Sequence, residues 1–184
     1  MNRKIFATLT LMALAATFSA AGMKNPMVGG QEMYPSKNII QNAVNSADHT
    51  TLVAAVKAAG LVDTLQGPGP FTVFAPTNEA FSKLPAGTVD TLLKPENRST
   101  LTRVLTYHVV AGRLSSHDLM KKIREGKGTA ELTTVEGGKL WVTLTDGKNI
   151  VLKDEKGGMA TVTIANVFQS NGVIHVIDTV VMPN

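Results

Sequence analysis

Cysteine is absent from all 184 residues. Its absence excludes a disulfide framework and a thiol nucleophile, and also the modified cysteine that a bacterial lipoprotein anchor requires. Charge is sparse, at 17% Asp, Glu, Lys and Arg against 43% hydrophobic residues, which excludes a disordered polyelectrolyte and fits a globular chain. Long apolar runs are scarce too. The run from Ile5 to Phe18 falls short of the roughly 20 residues that a membrane span needs. A chain of this length buries about two-thirds of its unfolded surface, so one domain can stand without a disulfide or a metal staple.

Catalytic patterns are missing as well. There is no G-x-S-x-G elbow, no H-E-x-x-H helix and no complete P-loop; Gly126-Lys-Gly-Thr129 lacks the upstream glycine and the preceding strand. His49, His108, His117 and His175 have no ligand spacing to one another. Asp48-His49 and His117-Asp118 fall at expected helix starts, where capping explains the aspartates. The expectation is a protein without enzymatic activity.

What is present begins with a leader. Arg3 and Lys4 precede the apolar run, and Ser19-Ala-Ala21 supplies small residues for cleavage, the three-part pattern of a secretory signal over residues 1–22. The protein is expected to be exported, periplasmic or extracellular, with no membrane span in its mature form. Removing the leader takes away Arg3 and Lys4 and no acid, leaving 16 basic against 14 acidic residues. The basic pI is therefore no argument for a nucleic-acid partner. Lys121, Lys122, Arg124 and Lys127 read as a solvated helix end and its loop.

Residues 23–35 carry Pro26, Gly29, Gly30 and Pro35 and no regular period, which predicts an irregular arm. From Ser36 the chain reads as helices: Ser36 as a cap before Ile39, Ile40, Ala43 and Val44, then Leu52, Val53, Val56 and Ala59 at helical spacing with Gly60 as the C-terminal stop. Pro70 and Pro76 bracket an apolar strand, Phe71 to Ala75, and Thr77 caps the helix that follows. Leu101, Val104, Leu105 and His108 share the face of a longer helix, and Ser116 is read as the cap of the next, which bears Leu119, Met120 and Ile123. Beyond Thr129 the period becomes two. Strands are expected over 129–135, 140–145, 149–152 and 159–164, separated by Gly-Gly and Asp-Gly turns, with Asn166 to Gly172 carrying the chain back. Val173 to Ile177 is too apolar for a wet edge and should lie centrally, beside Phe71 to Ala75. These elements predict one α+β domain.

Four blocks in order resemble the fasciclin (FAS1) domain family: Thr51 to Leu61, Phe71-Thr-Val-Phe-Ala-Pro-Thr-Asn-Glu-Ala-Phe81, Tyr107-His108 and Asn171-Gly-Val-Ile-His-Val-Ile-Asp178. The resemblance covers roughly Ser36 to Pro183, giving a domain over 36–183. It implies several short helices packed on a wedge of mostly antiparallel strands, in a bacterial secreted member with an adhesion scaffold. Tyr107-His108 matches the family's adhesion motif. The acidic-isoleucine motif of animal members is replaced by Ala165-Asn-Val-Phe-Gln-Ser170, which has no acid, so integrin recognition is not carried over.

Each candidate residue carries two readings. Tyr107 and His108 form either an interaction motif or a corner in which His108 is hydrogen bonded and Tyr107 half buried. His175 reads as a satisfied core histidine. Trp141 belongs either to an exposed patch or beneath a helix. Met23, Met27 and Met33 offer soft thioethers for Cu(I), or apolar packing for a docked arm. Asn97-Arg-Ser99 is a formal glycosylation sequon at a helix start, and Asn171-Gly172 reads as a turn. The leading expectation is a non-enzymatic adhesion or protein-interaction module whose partner is a surface or extracellular-matrix protein or polysaccharide. The alternatives are a copper-handling protein using the three methionines, and a small-ligand binder with a pocket between its helical and sheet halves.

Overall fold

In the computed structural model, which describes residues 24–184, the segment expected to be irregular opens with a hairpin. Strands β1 (Met27–Val28) and β2 (Gln31–Glu32) pair across Gly29 and Gly30. The leader over 1–22 and Met23 lie outside the described residues. Helix α1 (Ile39–Ala43) follows, capped by Asn38 and not by Ser36: Asn38 Oδ1 accepts from Gln41 N and the Gln41 side chain answers on Asn38 N. A 3-10 turn (Ala47–His49) leads into α2 (Thr50–Ala59), which stops at Gly60 in the left-handed conformation, φ 73°. Helix α3 (Val62–Gln66) then delivers the chain to strand β3 (Phe71–Pro76).

Thr77 ends β3 and caps α4 (Asn78–Ser82), its Oγ1 accepting from Ala80 N at 3.2 Å. One orphan donor of the helix is satisfied there, so Thr77→Ala is expected to cost about 1 kcal/mol and Thr77→Asn almost nothing. Urea unfolding of the two variants against wild type measures the difference. Helix α5 (Thr88–Leu92), a 3-10 turn (Pro95–Asn97) and α6 (Arg98–Tyr107) complete the helical half. A short strand not foreseen, β4 (Val109–Ala111), precedes α7 (Ser116–Glu125). The α7 cap is Ser115, one residue before the expected Ser116, in a reciprocal pair with Asp118.

The remaining strands are β5 (Thr129–Thr133), β6 (Lys139–Thr145), β7 (Asn149–Lys153), β8 (Met159–Gln169) and β9 (Gly172–Ile177). Strand β8 runs through Gln169, so the stretch expected to be a return loop is strand interrupted by register shifts. The order is β4-β3-β9-β8-β7-β6-β5, with β3 and β9 paired in parallel and every other neighbour antiparallel.

The two apolar ribbons do lie side by side at the centre of the wedge, and their composition follows from burial on both faces. Val73, Ala75, Ile174 and Val176 join the core beneath α1, α2 and α6, while Phe74 and Ile177 join a second core under α7 with Leu119, Ile123, Leu140, Val142 and Leu152. The strands approach so closely at Phe71↔Gly172 that a Cβ on Gly172 would sit 2.2 Å from the Phe71 carbonyl oxygen. Only glycine fits there.

Candidate interaction surface

The α6–β4 corner decides what Tyr107 and His108 do. Helical spacing turns both inward, leaving Tyr107 0% and His108 3% exposed, so Tyr107 is fully buried where a half-buried ring was expected. The Tyr107 hydroxyl donates to the Lys139 carbonyl at 2.5 Å and accepts from Glu155 N at 3.2 Å, tying α6 to the start of β6 and the β7–β8 turn. Burial pushes its pKa up to about 12. His108 Nε2 accepts from Val181 N at 3.2 Å, which fixes the proton on Nδ1, and Nδ1 donates to the Val104 carbonyl at 2.8 Å. Burial pulls the His108 pKa down to about 4. The adjoining Asp154 carboxylate accepts from Lys156 N, Gly158 N and Met182 N. The pair is therefore a clamp that holds the corner and the C-terminal tail together. In this fold neither side chain can touch a partner.

His175, 0% exposed, stacks on Phe74 at 5.7 Å and reaches the Leu114 carbonyl through Nε2 at 2.8 Å. Asn171 does more than turn the chain. Its Oδ1 accepts from Ile39 N, and its Nδ2 donates to the Leu65 and Gly67 carbonyls. Beside it Gln169, 2% exposed, bonds the buried Asn42 of α1. An Asn after a polar run at a hairpin signals a turn, and nothing local marks the reach of its amide.

Of the three methionines, Met23 lies outside the described residues, and Met27 and Met33 face opposite ways. Met27 is 54% exposed, whereas Met33 is 2% exposed and packs in the core beneath α1, on the opposite face of the hairpin by strand alternation. A copper site using both would require Met33 to leave that core. Among the described residues no group of three His, Asp or Glu side chains is placed to hold a metal ion.

Trp141 lies on the open face of the sheet. Leu140 and Val142 face α7, so alternation puts Trp141 and Thr143 on the other side, where Trp141 pairs with Glu131 and Lys153 across β5 and β7. Among the described residues no helix covers it; the indole sits half-buried in an open basin of about 570 Å³, walled by Thr129, Thr143, Lys153, Lys156 and the β7–β8 turn. Asp154 and Glu155 in that turn already accept backbone N–H groups, Glu155 from Lys139 and Asn184. Lys153 and Lys156 form no ion pair among the described residues. The basin thus combines one aromatic face, hydroxyls and free ammonium groups. No helix among the described residues is long and apolar enough to cross a membrane.

Comparison with known proteins agrees with this architecture. The family model described as Fasciclin domain matches residues 47–183. Protein sll1483 of Synechocystis sp. is 43% identical over 183 residues, covering 97% of this chain and 94% of that protein. The cell surface glycolipoprotein MPB83 of Mycobacterium bovis is 36% identical over 146 residues, covering 77% of this chain and 58% of that protein. Among solved structures, a FAS1 domain pair from the insect cell adhesion molecule Fasciclin I superposes with a TM-score of 0.56 at 24% identity, over 71% of this chain and 43% of that one. By sequence and by fold, the chain belongs to the fasciclin domain family.

Proposed function

We propose that the protein is an exported, non-enzymatic interaction module that engages a cell-surface or matrix component through the Trp141 face. The observation that carries this reading is the contrast between interior and exterior. Tyr107, His108 and His175 are consumed in the fold, while Trp141 stands in an open basin with two unpaired lysines beside it. An aromatic ring edged by hydroxyls and cations offers a large contact area with few rotamers to freeze. The name of the mycobacterial relative places that protein at the cell surface, which supports export and a surface role here.

Trp141 is the single tryptophan of the chain, so its fluorescence reports directly on the basin. Purified envelope proteins and polysaccharides, titrated one at a time, are expected to shift that emission. For the component that does so, Trp141→Ala should weaken binding roughly 30-fold, as loss of an interface aromatic worth about 2 kcal/mol implies. The melting temperature should hardly change, because the indole belongs to neither core. A component that binds the Trp141→Ala protein at wild-type strength would remove this face from the function.

A further inference from the structure

Strand register sets what surrounds Trp141. Glu131 and Lys153 stand directly opposite it on β5 and β7, and Met159 follows Lys153 on β8, so these four side chains form one row across the sheet. The next row on the same face holds Thr129, Thr143, Val151 and Thr161. Met159 is 65% exposed but lies two strands from Trp141 with Lys153 between them, so the two large apolar side chains do not merge into one patch. An anchor for a protein partner sits in a packed surround that excludes water; this indole is bordered by ammonium, carboxylate and hydroxyl groups. Formal charge along the rim is even, with Lys139, Lys153 and Lys156 against Glu131, Asp154 and Glu155, but availability is not. Glu131 is paired with Lys139 Nζ at 2.9 Å. Asp154 is buried and its carboxylate accepts three backbone N–H groups, while that of Glu155 accepts two. Lys153 and Lys156 are exposed and enter no ion pair among the described residues. The face therefore has ammonium groups to offer an anion, while each carboxylate beside them is already engaged.

We propose that the Trp141 face binds a linear polysaccharide built of uronic acid residues. This rests on the reading of that face as the interaction surface and names the chemistry of its partner. A pyranose ring has a face of C–H groups and a rim of hydroxyls, so it can lie on the indole while its rim meets Thr129 and Thr143. Thr143 Oγ1 already donates to the Gly128 carbonyl at 2.9 Å, which leaves its lone pairs to accept from a sugar hydroxyl. Carboxylates on the adjoining residues meet Lys153, one strand spacing of about 4.8 Å from Trp141, and Lys156 in the turn beyond it. A basin of about 570 Å³ lies within the roughly 300–1,000 Å³ of small-ligand sites, and being open it lets a longer chain continue past it.

Three probes separate the parts of the proposal: an oligomannuronate, the same oligomer with its carboxylates reduced to alcohols, and polyglutamate, which carries carboxylates without sugar rings. Each is titrated into the purified protein and followed by calorimetry and by Trp141 fluorescence. The oligomannuronate is expected to bind and shift the emission, the reduced oligomer to bind about tenfold more weakly, and polyglutamate to leave the emission unmoved. Combining Lys153→Gln with Lys156→Gln should lower oligomannuronate affinity about tenfold and flatten its salt dependence. The melting temperature should not change, because both side chains are exposed. Equal affinity for the acidic and the reduced oligomer, equal affinity of wild type and the double variant, or an emission shift with polyglutamate would overturn the proposal. So would the absence of oligomannuronate binding; a protein component that binds wild type but not Trp141→Ala would then keep this face as the interaction surface and remove only the uronate. Oligomannuronate that binds Trp141→Ala at wild-type strength would remove both.

Discussion

Acidification from pH 6.5 to pH 4 is expected to strip on the order of 3 kcal/mol of folding stability through His108 alone. The folded pKa, about 4, lies below the unfolded value of 6.5, so across this window the unfolded chain binds more protons than the folded one. Stability therefore rises with pH, is complete above 6.5, and falls until the folded ring itself titrates. The geometry supplies the cause: a proton added to Nε2 would face the Val181 N–H that Nε2 now accepts. His49 and His175 are pulled down by burial as well and act in the same direction. Asp118 and Glu155, held below the usual carboxylate range by hydrogen bonds from Ser115 and from Lys139 N, add losses of the same sign only at lower pH. Urea unfolding at pH 7 and pH 5 isolates the histidines, and about 2 kcal/mol of the His108 contribution should already be gone at pH 5. His108→Phe should be less stable at pH 7 yet flatter between the two. Equal slopes for wild type and variant would show that His108 is not held neutral.

The second large effect is expected at Asn171. Replacing it with alanine leaves Ile39 N without an acceptor and the Leu65 and Gly67 carbonyls without a donor. At roughly 1 kcal/mol or more for each stranded group, the variant should lose about 3 kcal/mol. Asn171→Asp should fare little better, because it keeps the acceptor for Ile39 and sets a carboxylate against two carbonyls. Ser170→Ala, one residue away and exposed, should be neutral within about 0.5 kcal/mol. Midpoints from denaturant unfolding at unchanged m decide the matter, and near-wild-type stability for Asn171→Ala would remove the amide from its place as a hub.

Much of the frame was legible from local pattern. Thr77 and Gly60 mark helix ends because capping involves atoms only a few residues away. Phe71 to Ala75 and Val173 to Ile177 read as central strands because burial on both faces leaves no room for polar alternation. Other features escaped. Strand β4 is three residues long and owes its pairing to Phe71, Thr72 and Val73, some 40 positions earlier. The β8 extension carries Asn166 and Gln169 where a loop was expected, since its register shifts disguise the alternation. The short β1–β2 hairpin hides behind glycines, and its Met33 serves the core.

The sequence by itself determined the longer helices, most of the strands and the central place of the two apolar ribbons, because these follow from side-chain period and from caps within one turn. The β1–β2 hairpin, β4, the end of β8 and the caps Asn38 and Ser115 did not follow from it. Only the tertiary structure decided which polar groups face inward. Tyr107 reaches across to residues 139 and 155, and Asn171 to residues 39, 65 and 67; those distances along the chain carry no local signature. The same holds for Trp141, whose face became the open one when α7 packed against the other side of its strand.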